Sequence, residues 1–245
     1  MYKTTMPLSD QKVFIVEGNM GAGKSTFLKI IERALRVQVV QEPVAEWQAV
    51  GGTDENLLAH FYNDTQRWGY TFQSYAFVTR VREQERMAKI NPTNIQILER
   101  SVYSDRYCFA KNCFEMGNMS GLEWRLYQEW FSWLVDTYTV KPTGFIYLQT
   151  DPEVCYERMI KRSRSAESAV PLSYVELLHT KHEEWLLHKR GVADYLKDVP
   201  VLVIPCNKDF EHDIREQEKH IESIISFMYA NNACTSPQKV RVTSL

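Results

Sequence analysis

The chain has 245 residues, 44% of them hydrophobic, with 29 Lys and Arg against 31 Asp and Glu and a formal charge of −2. That length suits one domain over 1–245 with a full core and short polar tails at about 1–11 and 231–245. The charge balance gives no basis for nonspecific nucleic-acid binding or for attraction to an anionic membrane, no apolar run reaches the ~18 residues of a membrane span, and "MYKTTMPLSDQK" has no signal- or transit-peptide pattern.

In chain order, "VFIVE" (13–17) is a short apolar run of the kind found in a buried parallel strand. A Gly-rich turn follows, then a helix through "STFLKIIERAL" with Leu28, Ile31 and Leu35 on one face. "VQVVQEP" is a second strand, stopped by Pro43. "ENLLAHFY" and the long "TQRWGYTFQSYAFVTRVREQERMAK" are helices. "IQILER" is a third strand, a helix starts near Ser104, and "GLEWRLYQEWFSWLVDTY" is an aromatic-rich helix. "GFIYLQT" is a fourth strand, and Asp151 is placed to cap the next helix with Pro152 at its first position. "LSYVELLHTKHEEWLLH" opens with Ser173 and Glu176 at capping-box spacing. "VPVLVIP" is a fifth strand, and a last helix near 212–229 sets Ile214, Ile221, Ile225 and Met228 on one stripe. This alternation predicts an α/β fold, a parallel sheet between two helical layers, with no internal repeat or linker.

The five cysteines, Cys108, Cys113, Cys155, Cys206 and Cys234, form no CxxC. Their spacing fits neither a zinc site nor a disulfide framework, so they read as reduced thiols of a cytoplasmic protein.

Gly18-Asn19-Met20-Gly21-Ala22-Gly23-Lys24-Ser25 matches G-x-x-x-x-G-K-[ST] in full, after a strand and before a helix, with Thr26 following. Glycines let backbone N–H groups approach phosphate oxygens, and the helix N-terminus adds positive potential. Lys24 can neutralise the β- and γ-phosphates, and Ser25 can offer its hydroxyl to Mg²⁺. The stretch therefore predicts a nucleoside triphosphate as phosphate donor.

The acceptor must be read elsewhere. Glu42 ends the second strand, where ligands of open α/β sheets bind, and a carboxylate there can take a proton from an attacking hydroxyl. Taken alone it is equally a solvated strand-end acid. "ERS" (99–101) ends the third strand: Glu99 can help position Mg²⁺, and Arg100 can stabilise a transferred phosphoryl group, or the two can form a structural ion pair. Arg158, Lys161, Arg162 and Arg164 lead into a Ser-rich stretch, which suits a lid closing cations over phosphates as well as a solvated helix face. The aromatics of "FYNDTQRWGYTFQSY" suit core packing or a flat slot for a nucleobase, and Gln73 can read a base edge with both halves of its amide.

In order, "EGNMGAGKST", "EPVAEW", "TFQSYAFVTR", "ERSVYSDRYCFA", "YERMIKRSRSAES" and "PLSYVELLHTKHEEWLL" together resemble the deoxyribonucleoside kinase family, from about Val13 to Tyr229. The resemblance implies a P-loop three-layer sandwich with a five-stranded parallel sheet and a lid, a homodimer, and Mg-dependent transfer from ATP to the 5′-hydroxyl of a deoxyribonucleoside in nucleotide salvage. By similarity Glu42 matches the general base, Arg100 the arginine near the 5′-oxygen, and Glu99 the acid beside the metal. Tyr62 and Glu167 match the pair on the 3′-hydroxyl, Gln73 the base reader, and Phe109 the ring stacked on the base. Trp47 and Phe72 line the slot, and Phe61 stands on the sugar side where relatives often have methionine. Arg158, Arg162 and Arg164 match the lid arginines, and Asp209 and Phe210 the loop at the donor base. Arg80 and Asp105 resemble the pair of deoxycytidine and deoxyguanosine kinases, which fills the space that thymine's 5-methyl needs. Feedback inhibition by a deoxynucleoside triphosphate is a further implication. A nucleoside monophosphate kinase and a noncatalytic structural subunit of the same fold are the alternative readings. The carboxylate at Glu42 counts against the first because it would repel an acceptor phosphate, and the intact Lys24, Ser25, Glu42 and Arg100 count against the second.

Overall fold

A computed structural model describes residues 11–90 and 95–231. Cys234 and nearly all of both polar tails lie outside the described residues. Strands β1 (Lys12–Gly18), β2 (Gln38–Val40), β3 (Ile95–Glu99), β4 (Gly144–Gln149) and β5 (Val201–Pro205) form one sheet in the order β2-β3-β1-β4-β5. Every neighbouring pair is parallel. The helices are α1 (Lys24–Leu35), α2 (Val44–Gln48), α3 (Leu57–Asn63), α4 (Thr65–Ile90), α5 (Val102–Ser104), α6 (Lys111–Glu115), α7 (Gly121–Tyr138), α8 (Pro152–Arg162), α9 (Leu172–His182), α10 (Asp194–Lys197) and α11 (Ile214–Ala230). None of the described helices is long and apolar enough to cross a membrane.

Val13, Phe14, Ile15 and Val16 of β1 are all buried, as a strand covered on both faces requires. Alternation sorts the side chains. Phe14 meets Phe227 of α11, ring centroids 5.8 Å apart. Phe14 pairs with Gly144, so Phe145 points to the other face, where it meets Tyr103 at 6.0 Å and Trp185 at 5.1 Å. Burying each such ring stabilises the fold by about 1.5–3 kcal/mol. On the second face α4 packs on α7 through Phe77, which stacks on Phe131 at 5.7 Å. The outer side of α7 leaves Trp130 and Trp133 49% and 52% exposed.

The chain leaves β1 through α1 toward β2, whereas β3 leads across to β4. The diverging connections open a crevice between the carboxyl ends of β1 and β3, the place where such sheets bind ligands.

Several local expectations are corrected. Helix α9 starts at Leu172 after an extended Pro171 and has no side-chain cap, so Ser173 already lies in its first turn and forms no capping box. Asp151 occupies the N-cap of α8 ahead of Pro152, but its carboxylate accepts from Asn207 Nδ2 at 2.8 Å and makes no cap bond. The helices expected from Ser104 and over 172–188 each contain a π turn, at Asp105–Ala110 and Glu183–Leu187. On α11 the buried stripe is Ile221, Ile224 and Met228, with Ile214 exposed and Ile225 half-buried. The described cysteines Cys108, Cys113, Cys155 and Cys206 are buried and unbridged.

Candidate active site

The crevice is a cleft of about 970 Å³. Its floor is the loop between β1 and α1. Gly21 has φ +76, and a Cβ there would fall 2.0 Å from the Cys155 carbonyl oxygen, so only glycine fits. Gly23 caps α1 without a side-chain bond, which leaves the first N–H groups of the helix for an anion. Lys24 Nζ donates to the carbonyls of Gly18 and Asn19 at 3.1 and 2.7 Å. Burial, with Arg100 adding to it, pushes Lys24 down to about 7. Met20, Gly21, Gly23, Lys24, Ser25 and Thr26 line the cleft. Gly18, Asn19 and Ala22 sit behind that lining: Asn19 is buried, with its Nδ2 on the Val175 carbonyl at 2.8 Å.

Ser25 Oγ donates to Glu99 Oε1 at 2.7 Å, and Glu99 Oε2 accepts the Glu42 N–H at 3.4 Å. A hydroxyl and a carboxylate are hard oxygen donors, and among the described residues no cluster of three or more His, Cys, Asp or Glu could hold a metal by itself. That set fits Mg²⁺ brought in on a triphosphate, which keeps most of its ligands as phosphate and water.

Glu42, between β2 and α2, carries its carboxylate into the middle of the cleft. Arg80 Nη2 binds its Oε1 at 2.5 Å, and Arg100 Nε lies 3.6 Å from the same oxygen. Burial alone would raise this carboxyl. Arg80, Arg100 and Lys24 outweigh it and hold Glu42 below the usual carboxylate range. Arg80 Nη1 also reaches Asp105 Oδ1 at 2.5 Å, and Tyr127 donates to the other Asp105 oxygen at 2.8 Å. Arg100 is left-handed at φ +60, and its guanidinium lies 4.8 Å over the Phe109 ring.

A flat slot opens beside this network. Phe61 stacks on Phe72 at 4.6 Å, and Trp47 meets Phe72 edge-on at 5.5 Å. Trp47 is held by its Nε1–H on Thr79 Oγ1 at 2.9 Å. Gln73 is buried at the slot wall with Nε2 on Cys113 Sγ at 3.6 Å, and its Oε1 has no partner among the described residues.

A deoxynucleoside kinase family model matches residues 14–229. Similar proteins include deoxycytidine kinase 2 of Gallus gallus, 41% identical over 87% of this chain and 89% of the relative. Deoxycytidine kinase of Homo sapiens is 38% identical over 89% and 91%, and mitochondrial deoxyguanosine kinase of Xenopus laevis is 38% identical over 81% and 82%. The chain belongs to the deoxynucleoside kinase family. Its activity is the ATP-dependent phosphorylation of a deoxynucleoside, a salvage reaction.

Several of the expected residues of this kinase line the cleft and also hold partners within the protein. Tyr62 and Glu167 both line the cleft but are not bonded to each other: Tyr62 Oη is 3.7 Å from Met20 Sδ, and Glu167 is taken by Arg162 and Arg164 at 2.5 and 2.8 Å. Arg158 is committed to the carbonyls of Cys206, Asn207 and Lys208 at 2.8, 3.1 and 2.9 Å, so it anchors the loop carrying Asp209. Asp209 and Phe210 line the cleft, and Phe210 packs on Phe27 and His220, at 6.3 and 5.3 Å, with its ring against Gly23. Gln41, Leu58, Glu157 and His212 also line the cleft and carry no motif that singles them out in the sequence.

Proposed function

We propose that this kinase phosphorylates deoxycytidine or a purine deoxyribonucleoside at the 5′-hydroxyl and discriminates against thymidine. The observation that carries this reading is the Arg80–Asp105 pair at 2.5 Å, with both side chains inside the cleft wall beside Gln73. A buried ion pair of this kind leaves no room for a 5-methyl group and offers charged hydrogen bonds to ring and exocyclic atoms.

The base lies between Phe109 and the Phe72 wall, with the Gln73 amide on its edge, while Tyr62 and Glu167 serve the 3′-hydroxyl. Glu42 accepts the 5′-hydroxyl proton as the oxygen attacks the γ-phosphorus in line. Lys24, Arg100, Arg162 and Arg164 stabilise the charge spreading over the phosphoryl oxygens. Ser25 and Glu99 would hold Mg²⁺, which supplies charge neutralisation at the β- and γ-phosphates. In this reading Glu167 passes from the two lid arginines to the sugar as the lid closes.

The exposed tryptophans of α7 support a homodimer through that helix. The continuity of loop and slot in one cleft supports inhibition by a deoxynucleoside triphosphate that spans both. Four buried, unbridged thiols support a reducing, cytoplasmic setting. The test is an ATP assay over the four deoxyribonucleosides and over dAMP, dCMP and dTMP. Thymidine should trail the best substrate by roughly 10-fold or more in kcat/KM, the scale of one methyl in a pocket. Preferred turnover of thymidine, or of a monophosphate, overturns the reading.

A further inference from the structure

Glu17 is a carboxylate in the centre of the sheet, on β1 just before the glycine loop, and its exposure is 0%. No step of the reaction uses it. A charged-type side chain at such a place needs a reason, because burial without full partners is unfavourable. Its Oε1 accepts the Ser101 hydroxyl at 2.6 Å, and its Oε2 has no hydrogen-bond partner among the described residues. Arg100 and Lys24 are the charges that act on it.

Ser101 shows what this bond does. Its one hydroxyl proton goes to Glu17, which turns the oxygen's lone pairs toward the N–H groups of Tyr103 and Ser104, at 3.1 and 3.4 Å. Ser104 Oγ answers by accepting the Ser101 N–H at 3.3 Å, which closes a capping box at the start of α5. The residue immediately before this box is Arg100. Its N–H is tied to the Val16 carbonyl at 2.9 Å, next to Glu17, and its backbone is left-handed. A left-handed non-glycine residue is unfavourable and persists only where its neighbours fix it. Here β1 fixes one side and Ser101, clamped by Glu17, fixes the other. This conformation sends the guanidinium over Phe109 and beside Glu42.

We infer that Glu17 is a positioning residue for Arg100: through Ser101 it locks the strand-to-helix turn whose left-handed conformation aims the guanidinium at the transferred phosphoryl group. This rests on the role given to Arg100 above.

The experiment compares Glu17→Gln, the double variant Glu17→Leu/Ser101→Ala, Arg100→Lys, and the double variant in the Arg100→Lys background. Replacing both partners of the Glu17–Ser101 bond by apolar groups leaves no unpaired group from that bond, so the main folding cost is the lost cap on Tyr103 and Ser104 and the double variant should remain folded. Its kcat should fall roughly 10- to 100-fold, the effect of a small misplacement of a reacting group. KM for the nucleoside and the fraction of protein binding ATP should stay near wild type. Glu17→Gln keeps an acceptor for Ser101 and should restore kcat to within about 3-fold, since the contact survives. In the Arg100→Lys background the double variant should add no further loss, because residues of one unit are not additive. A double variant with wild-type kcat, a loss accounted for by missing ATP-binding sites, or an equal loss in the Arg100→Lys background overturns the inference. Wild-type turnover in Arg100→Lys alone would instead remove Arg100 from the chemistry, which separates the two failures.

Discussion

Arg80 binds Glu42 and Asp105 at once, with 2.5 Å to each carboxylate. The residue proposed to choose the base therefore also helps set the charge state of Glu42, the residue proposed to take the proton. Removing Arg80 should change two properties together. Arg80→Met with Asp105→Ala opens the space beside the base, and thymidine should gain in kcat/KM relative to deoxycytidine. The same change strips Glu42 of a cation that holds its carboxyl low. Glu42 must be ionised to act as a base, so activity falls as pH drops through its pKa. With that pKa raised, the acid limb of the kcat/KM profile should move to higher pH. Rate–pH profiles for both nucleosides read both effects, and an unmoved limb would separate Arg80 from Glu42.

Glu42→Gln should lower kcat by roughly 10²-fold or more, the scale of general-base catalysis. Glutamine still accepts from Arg80, so the network keeps its shape and KM for the nucleoside should change little. Steady-state kinetics decide this: near wild-type turnover removes Glu42 from the proton step.

The glycine loop gives a prediction of another kind. Gly21→Ala puts a methyl 2.0 Å from the Cys155 carbonyl at φ +76. The left-handed strain is about 1–2 kcal/mol before the clash is counted. Helix α8 must shift or the loop must open, so the melting temperature should fall and ATP binding should be lost, as calorimetry and equilibrium binding would show. Retained ATP affinity would mean that the loop tolerates a different path.

The glycine loop and the five strands were legible in the sequence because each rests on local pattern: glycine spacing, apolar runs, and helices that alternate with them. Glu42 and Gln73 were candidates from strand-end position and amide chemistry, Arg80 and Asp105 came through a resemblance carried by short motifs, and the cleft gathers all four. Long-range pairing of long side chains was not legible. Nothing local shows that Arg80 reaches Glu42 across 38 residues, or that Arg158 closes on carbonyls 48 to 50 residues away. The π turn over Asp105–Ala110 was also hidden, because "DRYCFA" has an ordinary helical composition. Ser173 misled because the capping box was read from spacing, while the helix is capped at Pro171, two residues earlier.

Trp130→Glu with Trp133→Glu places charges on the exposed side of α7, where both indoles are about half exposed. If that face joins two copies, the wild-type protein should have twice the chain mass by light scattering and the variant the mass of one chain. Burying unpaired carboxylates in an apolar interface is strongly unfavourable, so a small residual dimer population is not expected. A variant that keeps the wild-type mass excludes α7 as the interface.

Glu17 also has a signature in stability. Burial raises its carboxyl from an ordinary 4.5 to about 7, against the pull of Arg100, the Ser101 and Ser104 hydroxyls and Lys24. The folded protein thus keeps this proton over a range in which the unfolded chain has already released it. Linkage then gives the sign: the stabilisation is fully present below about 4.5 and is lost as pH rises toward 7. Glu17→Gln cannot release a proton in either state, so the stability of the variant relative to wild type should rise as pH goes from about 4.5 to 7. Urea unfolding at several pH values across that window measures the difference directly, and parallel pH dependences for the two proteins would show that Glu17 is ionised throughout.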